Sequence, residues 1–296
     1  MSNIIYTMKR IISFAYRLIL ILVFIILLEL IISNQFIKTT KYTIIDDKLP
    51  KAFDRFKIVQ LSDLHSKEFG QNNSRLLKVI SKQSPDLVVL TGDMINTLDD
   101  NYNVFYKLAT DLARDYTVIY IVGNHEQNLP EENLSAIIYY LKNIGIIVLD
   151  NDKIVLERSD EKINIYGLWF NLRYYRDLTN DQTKEYYFGQ EQMDFILGDA
   201  DKNHYNILLT HNPVYFETYS DWGANLTLAG HMHGGMIRIP FKGRLFSPEK
   251  ELYPEYVAGL YENSGKKIIV NTGLGNGGLG FRFLNPPEIT VITLDR

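Results

Sequence analysis

Five apolar runs of this chain each end in aspartate, asparagine or histidine, and this repeated pattern restricts the fold most strongly. The runs are FKIVQLSDLH (56–65), DLVVLTGD (86–93), TVIYIVGNH (117–125), YNILLTHNP (205–213) and LTLAGHMHGG (226–235). Each is typical of a buried strand, and the intervening segments 73–83 and 103–113 have helical spacing. Strands that alternate with helices predict an α/β domain, in which the carboxyl ends of neighbouring strands meet at one edge of a sheet. We therefore expect the five polar ends to lie together.

The histidines follow the same pattern. The chain has six, and five of them stand at these strand ends, namely His65, His125, His211, His231 and His233. A single histidine after a strand is usually a structural residue, but packing does not explain five in the same topological position. Asp63, Asp93 and Asn124 stand beside them and offer oxygen ligands. The pattern indicates a metal site.

The mixture of ligand types indicates which metals fit. Imidazole, carboxylate and amide groups together favour manganese, iron or zinc over magnesium and calcium, which prefer oxygen ligands throughout. The absence of cysteine excludes thiolate sites. Seven or eight candidate ligands are too many for one ion but fit two ions that share a carboxylate. Two divalent cations beside two aspartates leave the site electropositive, so it attracts an anionic ester although the net charge of the chain is -4.

Five motifs in this order resemble those of the calcineurin-like metallophosphoesterase superfamily: DLH, GDMIN, GNHE, TH and GHMH. They occupy residues 63–65, 92–96, 123–126, 210–211 and 230–233. The apolar N-terminus and the late segments 247–261 and 285–294 are similar to the membrane-anchored bacterial branch of that superfamily. The resemblance implies an α/β fold of four layers, with two mixed β-sheets flanked by helices.

The resemblance also implies a role for each matched residue. One ion is assigned to Asp63, His65 and His233, and the other to Asn124, His211 and His231. Asp93 is expected to bridge both ions, and the two histidines of GHMH to point to different ions. His125 is expected to contact the phosphate and to protonate the leaving oxygen. The implied reaction is attack of a metal-bridging hydroxide on phosphorus.

One position departs from the family pattern. Many relatives have a carboxylate that pairs with the histidine matched by His125, whereas this chain has Asn96, which orients a ring but adds no charge. Glu126 is one candidate for a substitute partner. An exposed carboxylate at a helix start is the other interpretation of Glu126.

The N-terminus predicts a membrane anchor. Residues 11–32 carry only Arg17 and Glu29 as charges, and these 22 residues would span about 33 Å as a helix at roughly 1.5 Å per residue. A cleaved signal peptide is the alternative, but no small-residue cleavage pattern follows. We therefore expect an anchor and connector over residues 1–40 and a metallophosphoesterase domain over residues 41–296.

Charge around the anchor predicts its orientation. Three basic residues precede the apolar centre (Lys9, Arg10 and Arg17) and two follow it (Lys38 and Lys41). This bias favours a single-pass protein of the cell membrane with an extracytoplasmic catalytic domain.

Two further motifs allow more than one interpretation. GLGNGG (273–278) fits a dinucleotide-binding pattern, but prolines and a strand pattern follow where a helix is required, so we reject that site. The same loop is expected to border the metal centre, with Arg282 either holding a phosphate oxygen or lying at the surface. The aromatic segment 169–190 is either a substrate lip or an ordinary loop and helix.

The sequence therefore predicts a phosphoesterase or pyrophosphatase that acts on a substrate of the membrane or cell envelope, for example a lipid-linked one. The acidic surface disfavours nucleic acid as a partner. A catalytically inactive, anchored metal-binding or scaffold protein is the alternative outside enzymes. A protein phosphatase or a nuclease is the alternative within them.

Overall fold

The computed structural model describes residues 2–175, 187–235, 237–239, 243–246, 248, 253–276 and 280–296. It begins with one long helix, α1 (Ser2–Gln35). Residues 5–28 of this helix are exposed, and the helix is long and apolar enough to cross a membrane, a property that signal sequences share. Because no Gly or Pro interrupts residues 2–35, the backbone continues as one helix through the apolar run.

The first sheet has six strands and mixed directions. Its order is β1 (Lys38–Ile45), β14 (Glu288–Asp295), β2 (Lys57–Leu61), β3 (Leu87–Thr91), β4 (Val118–Ile121) and β5 (Ile147–Val148). Strands β2 to β5 run parallel, and β14 runs antiparallel to β2. Strand β1 begins at Lys38, so the last residues of the segment expected to connect the anchor already pair with β14.

The second sheet also has six strands and mixed directions. Its order is β12 (Gly259–Asn263), β13 (Lys266–Val270), β9 (Leu226–Ala229), β8 (Tyr205–Thr210), β7 (Glu161–Leu168) and β6 (Asp152–Arg158). The four central strands are parallel, and the two outer strands are antiparallel to their neighbours. A separate hairpin pairs β10 (Ile237–Ile239) with β11 (Gly243–Phe246).

Helices cover the outer faces of both sheets. They are α2 (Ser74–Ser81), α3 (Asn103–Asp115), α4 (Asn124–Gln127), α5 (Glu131–Asn143), α6 (Gln190–Leu197) and α7 (Phe216–Trp222). The predicted helices over 73–83 and 103–113 correspond to α2 and α3. Short 3-10 turns occur at Lys51–Phe53, Gln71–Asn73 and Leu172–Tyr174.

The core shows why the elements form layers. Ile58 and Leu209 come from different sheets and lie in one buried cluster, so the sheets pack face to face. Val59, the next residue in β2, points to the opposite face and packs with residues of α2, α3 and α5. Met193 of α6 and Trp222 of α7 cover the outer face of the second sheet. The expected four-layer α/β sandwich with two mixed sheets is confirmed.

Candidate metal centre

The loops after β2, β3 and β9 carry most of the predicted ligands in an uncommon backbone conformation. Five predicted ligands have positive φ, namely Asp63 (49°), His65 (46°), Asp93 (54°), His231 (67°) and His233 (49°). Residues other than glycine rarely adopt a positive φ, and such backbone strain is common at functional sites. Hydrogen bonds between loops hold it in place, since the amides of Asp63 and His65 donate to the carbonyls of Gly92 and Asp93, each over 3.0 Å.

One cluster contains Asp63, His65 and His233, whose ligand atoms lie within 4.8 Å of one another. His65 Nε2 is 3.1 Å from His233 Nε2, and Asp63 Oδ1 is 3.5 Å from His233 Nε2. The side-chain amide of Asn96 donates to the His65 carbonyl and to Asp99, so its Oδ1 faces His65 Nδ1 at 3.0 Å. This contact places the ring proton on Nδ1 of His65, and its Nε2 lone pair points into the cluster.

A second cluster contains Asp93, His211 and His231, again within 4.8 Å. The Nδ1–H of His211 donates to the Thr91 carbonyl over 2.7 Å, so its Nε2 faces Asp93 Oδ2 at 3.1 Å. A backbone acceptor behind a histidine is the usual support for a metal ligand. The same Asp93 oxygen lies 3.9 Å from His65 Nε2 of the first cluster. Asp93 therefore lies between the two clusters.

Burial and neighbouring charges shift the pKa values of the histidines in the metal-free clusters in different directions. Burial lowers the pKa of His65 to about 4, and burial together with His65 and Arg282 holds the pKa of His233 well below its usual value. Burial also acts to lower the pKa of His211, but Asp93 and Asp63 outweigh it and raise this pKa to about 10. A metal that binds here displaces that proton and supplies the missing positive charge.

Two atoms of the predicted ligands are buried without a partner. Asn124 Oδ1 and His233 Nδ1 make no hydrogen bond within the described part of the chain. Buried polar atoms are nearly always paired, so each unpaired one requires an explanation. Lone pairs of His65 and His233 that meet at 3.1 Å need a cation or a proton between them. The donor set fits two metal ions.

Asn124 and His125 begin α4, directly after β4. The backbone N–H of His125 donates to Asp93 Oδ1 over 2.8 Å, which fixes the start of the helix against the clusters. The His125 ring lies 4.6 Å from the His65 ring. The backbone N–H of Thr97 donates to His125 Nδ1 over 3.2 Å, so the ring proton is expected on Nε2.

Both interpretations of Glu126 were wrong, and so was the expected partner of Asn96. Asn96 contacts His65 and not His125; Thr97 contacts His125 instead. Glu126 is fully buried, and its carboxylate accepts the backbone N–H groups of Gly123, Asp93, Met94 and Ile95. Burial and the nearby Asp93 raise its pKa, and these donors oppose the rise. Glu126 therefore joins two loops of the site. Glu126 stands three residues after the N-cap Gly123 and accepts its amide, which is one half of a capping box, but glycine has no side chain for the other half, so the sequence signature is incomplete.

The GHMH turn directs its histidines apart. His231 belongs to the cluster with Asp93, and His233 to the cluster with Asp63. Gly230 permits this turn, because a Cβ there would lie 1.9 Å from Ser62 Oγ and 2.5 Å from Asp63 Oδ2. The loop that follows β9 therefore packs directly against the loop that follows β2. Tyr175 lies beside this turn, with its ring 5.1 Å from that of His231.

The loop that follows β13 does border the metal centre, as expected. The Gly275 amide donates to the Asp63 carbonyl over 2.6 Å. Arg282 does not lie at the surface: it is buried and donates to the carbonyls of Thr272, Gly275 and Asn285. Of the two motifs discussed above, residues 277–278 of the glycine loop and 176–186 of the aromatic segment lie outside the described residues.

Comparison with known proteins identifies the family. The calcineurin-like phosphoesterase family profile matches residues 56–235. The chain belongs to the calcineurin-like phosphoesterase family. It is 31% identical over 270 residues to the uncharacterized metallophosphoesterase YkuE of Bacillus subtilis (strain 168), which covers 89% of this chain and 87% of YkuE. It is 29% identical over 242 residues to the phosphodiesterase YaeI of Escherichia coli (strain K12), and this alignment covers 81% of this chain and 82% of YaeI.

A solved structure is also similar. The phosphopantetheinyl hydrolase PptH of Mycobacterium tuberculosis aligns with 72% of this chain and 88% of its own, with a TM-score of 0.46 and 13% identity. The family binds two metal ions, and this metallophosphoesterase brings His and Asp clusters together at its strand ends. It is a hydrolase of phosphoester bonds.

Proposed function

We propose that this metallophosphoesterase hydrolyses a phosphoester or pyrophosphate with two divalent cations. Asp63, His65 and His233 hold one ion, Asn124, His211 and His231 hold the other, and Asp93 contributes to both. The position of Asp93 between two clusters of inward-facing lone pairs carries this proposal. When bound, such a pair of cations activates water and neutralises charge on the phosphoryl oxygens.

The side chains of the protein position the substrate and the ligands. Asn96 and the Thr91 carbonyl fix the rings of His65 and His211, so that both lone pairs stay directed inward. His125, with its proton on Nε2, donates a hydrogen bond to a phosphoryl or leaving oxygen. Thr97 sets the direction of this donor by holding Nδ1.

The ligand types favour manganese, iron or zinc in this centre. We further propose that residues 1–40 anchor the enzyme in the cell membrane and that residues 41–296 form an extracytoplasmic catalytic domain. The long apolar helix, which is exposed over residues 5–28, supports the anchor. A substrate of the membrane or cell envelope, such as a lipid-linked phosphoester, follows from this location.

Metal removal and replacement test the proposed activity. We expect the purified full chain in detergent to lose hydrolysis of a chromogenic phosphodiester after chelation and to regain it with manganese, iron or zinc. The full chain is used because β1 begins at Lys38 and pairs along its length with β14. Two bound ions without turnover on monoester, diester or pyrophosphate substrates would instead support the inactive metal-binding alternative.

Replacement of His125 tests the proposed donor. His125→Ala is expected to retain two metal ions and to lower kcat by about 10²-fold to 10³-fold, since one positioned donor contributes roughly that much. Metal content by mass spectrometry and steady-state hydrolysis provide the measurements.

His204→Ala is the matched control for this variant. His204 is the one histidine away from the strand ends and pairs with Asp201 at 2.7 Å. We expect it to leave turnover unchanged. Equal turnover of the two variants would remove His125 from the mechanism.

A further inference from the structure

The last turns of α1 are hydrogen-bonded to the loop of residues 281–285, which we call the docked loop. Glu29 accepts the Leu284 amide over 2.6 Å, and Ser33 accepts the Asn285 amide over 3.2 Å. Asn34 both accepts the Arg282 amide over 3.1 Å and donates to the Arg282 carbonyl over 3.0 Å. Ser33 also donates to Glu29. The helix is therefore attached to the catalytic domain through specific contacts.

These contacts pair some of the backbone polar groups that a loop placed in lipid must satisfy. Backbone N–H and C=O groups that meet hydrocarbon without partners cost several kcal/mol each. Here side chains of the helix pair with four such groups, belonging to Arg282, Leu284 and Asn285. An ionisable residue within an apolar span usually has a specific partner, and this is the partner of Glu29.

The helix also sets the depth of the docked loop. Glu29 lies in the last turn of the apolar run 11–32 and Ser33 directly follows that run, about 6 Å from Glu29 along the helix at roughly 1.5 Å per residue. If that run crosses a bilayer, these residues lie near one interface. The residues bonded to them must lie at the same depth.

The side chains of the docked loop suit this position. Phe281 is 54% exposed, and Phe283 and Leu284 are each 39% exposed. Phe36, at the end of the helix, is 64% exposed. Large apolar side chains grouped beside a membrane helix are typical of residues that enter the interfacial region.

The other side of the docked loop contacts the metal centre. The Asn285 side chain donates to the His233 carbonyl over 2.7 Å. Arg282 donates to the Gly275 carbonyl, and the Gly275 amide bonds to Asp63. The contacts thus run without a break from the helix to residues of the first cluster.

We propose that the docked loop inserts Phe281, Phe283 and Leu284 into the leaflet at the end of α1, and so holds the metal centre at the headgroup layer. The partner is the lipid bilayer itself. This inference rests on the proposed anchoring by α1. It implies that the hydrolysed phosphoester belongs to a molecule embedded in that leaflet.

Site-specific fluorescence tests this contact directly, because the chain has no cysteine of its own. The full chain carrying Phe283→Cys is labelled with an environment-sensitive dye and reconstituted in phosphatidylglycerol–phosphatidylethanolamine nanodiscs, with or without doxyl-labelled lipid. We expect a blue-shifted emission that doxyl lipid quenches. Phe195→Cys is the control, since Phe195 is 89% exposed on α6, and its label is expected to stay unquenched.

Two further variants separate the possible failures. Leu22→Cys, in the middle of α1, reports on anchoring: an unquenched label there overturns the anchor and this inference together. A quenched label at 22 with an unquenched label at 283 overturns the docked loop alone, including the case in which a second copy of the chain covers it. Glu29→Ala removes the acceptor for Leu284 and is expected to reduce quenching at 283 while leaving quenching at 22 unchanged.

Discussion

Asp93→Asn is expected to lower kcat/KM for phosphodiester hydrolysis by about 10³-fold, equivalent to roughly 4 kcal/mol of transition-state stabilisation. It is also expected to remove at least one of the two bound ions. Asp93 Oδ1 accepts the His125 amide, so an asparagine keeps its carbonyl oxygen there and places its NH₂ where Oδ2 stands. Without the Asp93 charge His211 loses the cause of its raised pKa, and the NH₂ can then donate to His211 Nε2, which lies 3.1 Å from Oδ2 in the parent, and occupy it without a metal.

This substitution separates metal binding from folding. The amide fills the same space and can still pair with His211, so the metal-free variant is expected to fold, but it loses the ion pair that raises the pKa of His211 in the metal-free parent and should unfold at a lower urea concentration. Asp47→Asn is the control, since Asp47 is exposed and far along the chain from every predicted ligand. Metal content, kcat/KM and urea unfolding are measured on all three proteins. Full turnover of Asp93→Asn with two ions bound would overturn the shared position of Asp93.

Much of this arrangement could be predicted from the sequence because the signals are local. Each strand before a histidine is apolar, and a parallel strand places the residue after it at a common edge. The order of apolar and polar residues therefore predicted which side chains meet, and His211 and His231 do meet although 19 residues separate them. His204 stood outside the pattern and lies away from the clusters, paired with Asp201.

The parts that the sequence did not predict depend on contacts between distant loops. Asn96 was expected beside His125, but the turn after β3 directs it to His65, and only the fold decides between two neighbouring rings. Positive φ at Asp63 and Asp93 leaves no sequence signal, because neither residue is glycine. The role of Glu29 likewise depends on a loop 255 residues later in the chain.

Glu126→Gln is expected to destabilise the metal-free protein by about 2–6 kcal/mol. Both carboxylate oxygens accept backbone N–H groups, one from Asp93 and Gly123 and the other from Met94 and Ile95. Glutamine has a single acceptor oxygen, so its NH₂ faces one pair of N–H donors and leaves both without a partner. Each buried group left unsatisfied costs about 1–3 kcal/mol. Urea unfolding followed by the fluorescence of the two tryptophans measures the change.

The same substitution is expected to weaken metal binding, because Glu126 joins the loop that carries Asp93 to the loop that carries Asn124. The strained φ of 54° at Asp93 persists only while such contacts hold it. Glu131→Gln is the control: Glu131 lies exposed in the first turn of α5, and its loss should change stability by no more than about 0.5 kcal/mol. If Glu126→Gln unfolds at the same urea concentration as Glu131→Gln and binds metal equally well, the backbone contacts of Glu126 do not hold the site together. The strain at Asp93 must then be held by the hydrogen bonds between the β2 and β3 loops alone.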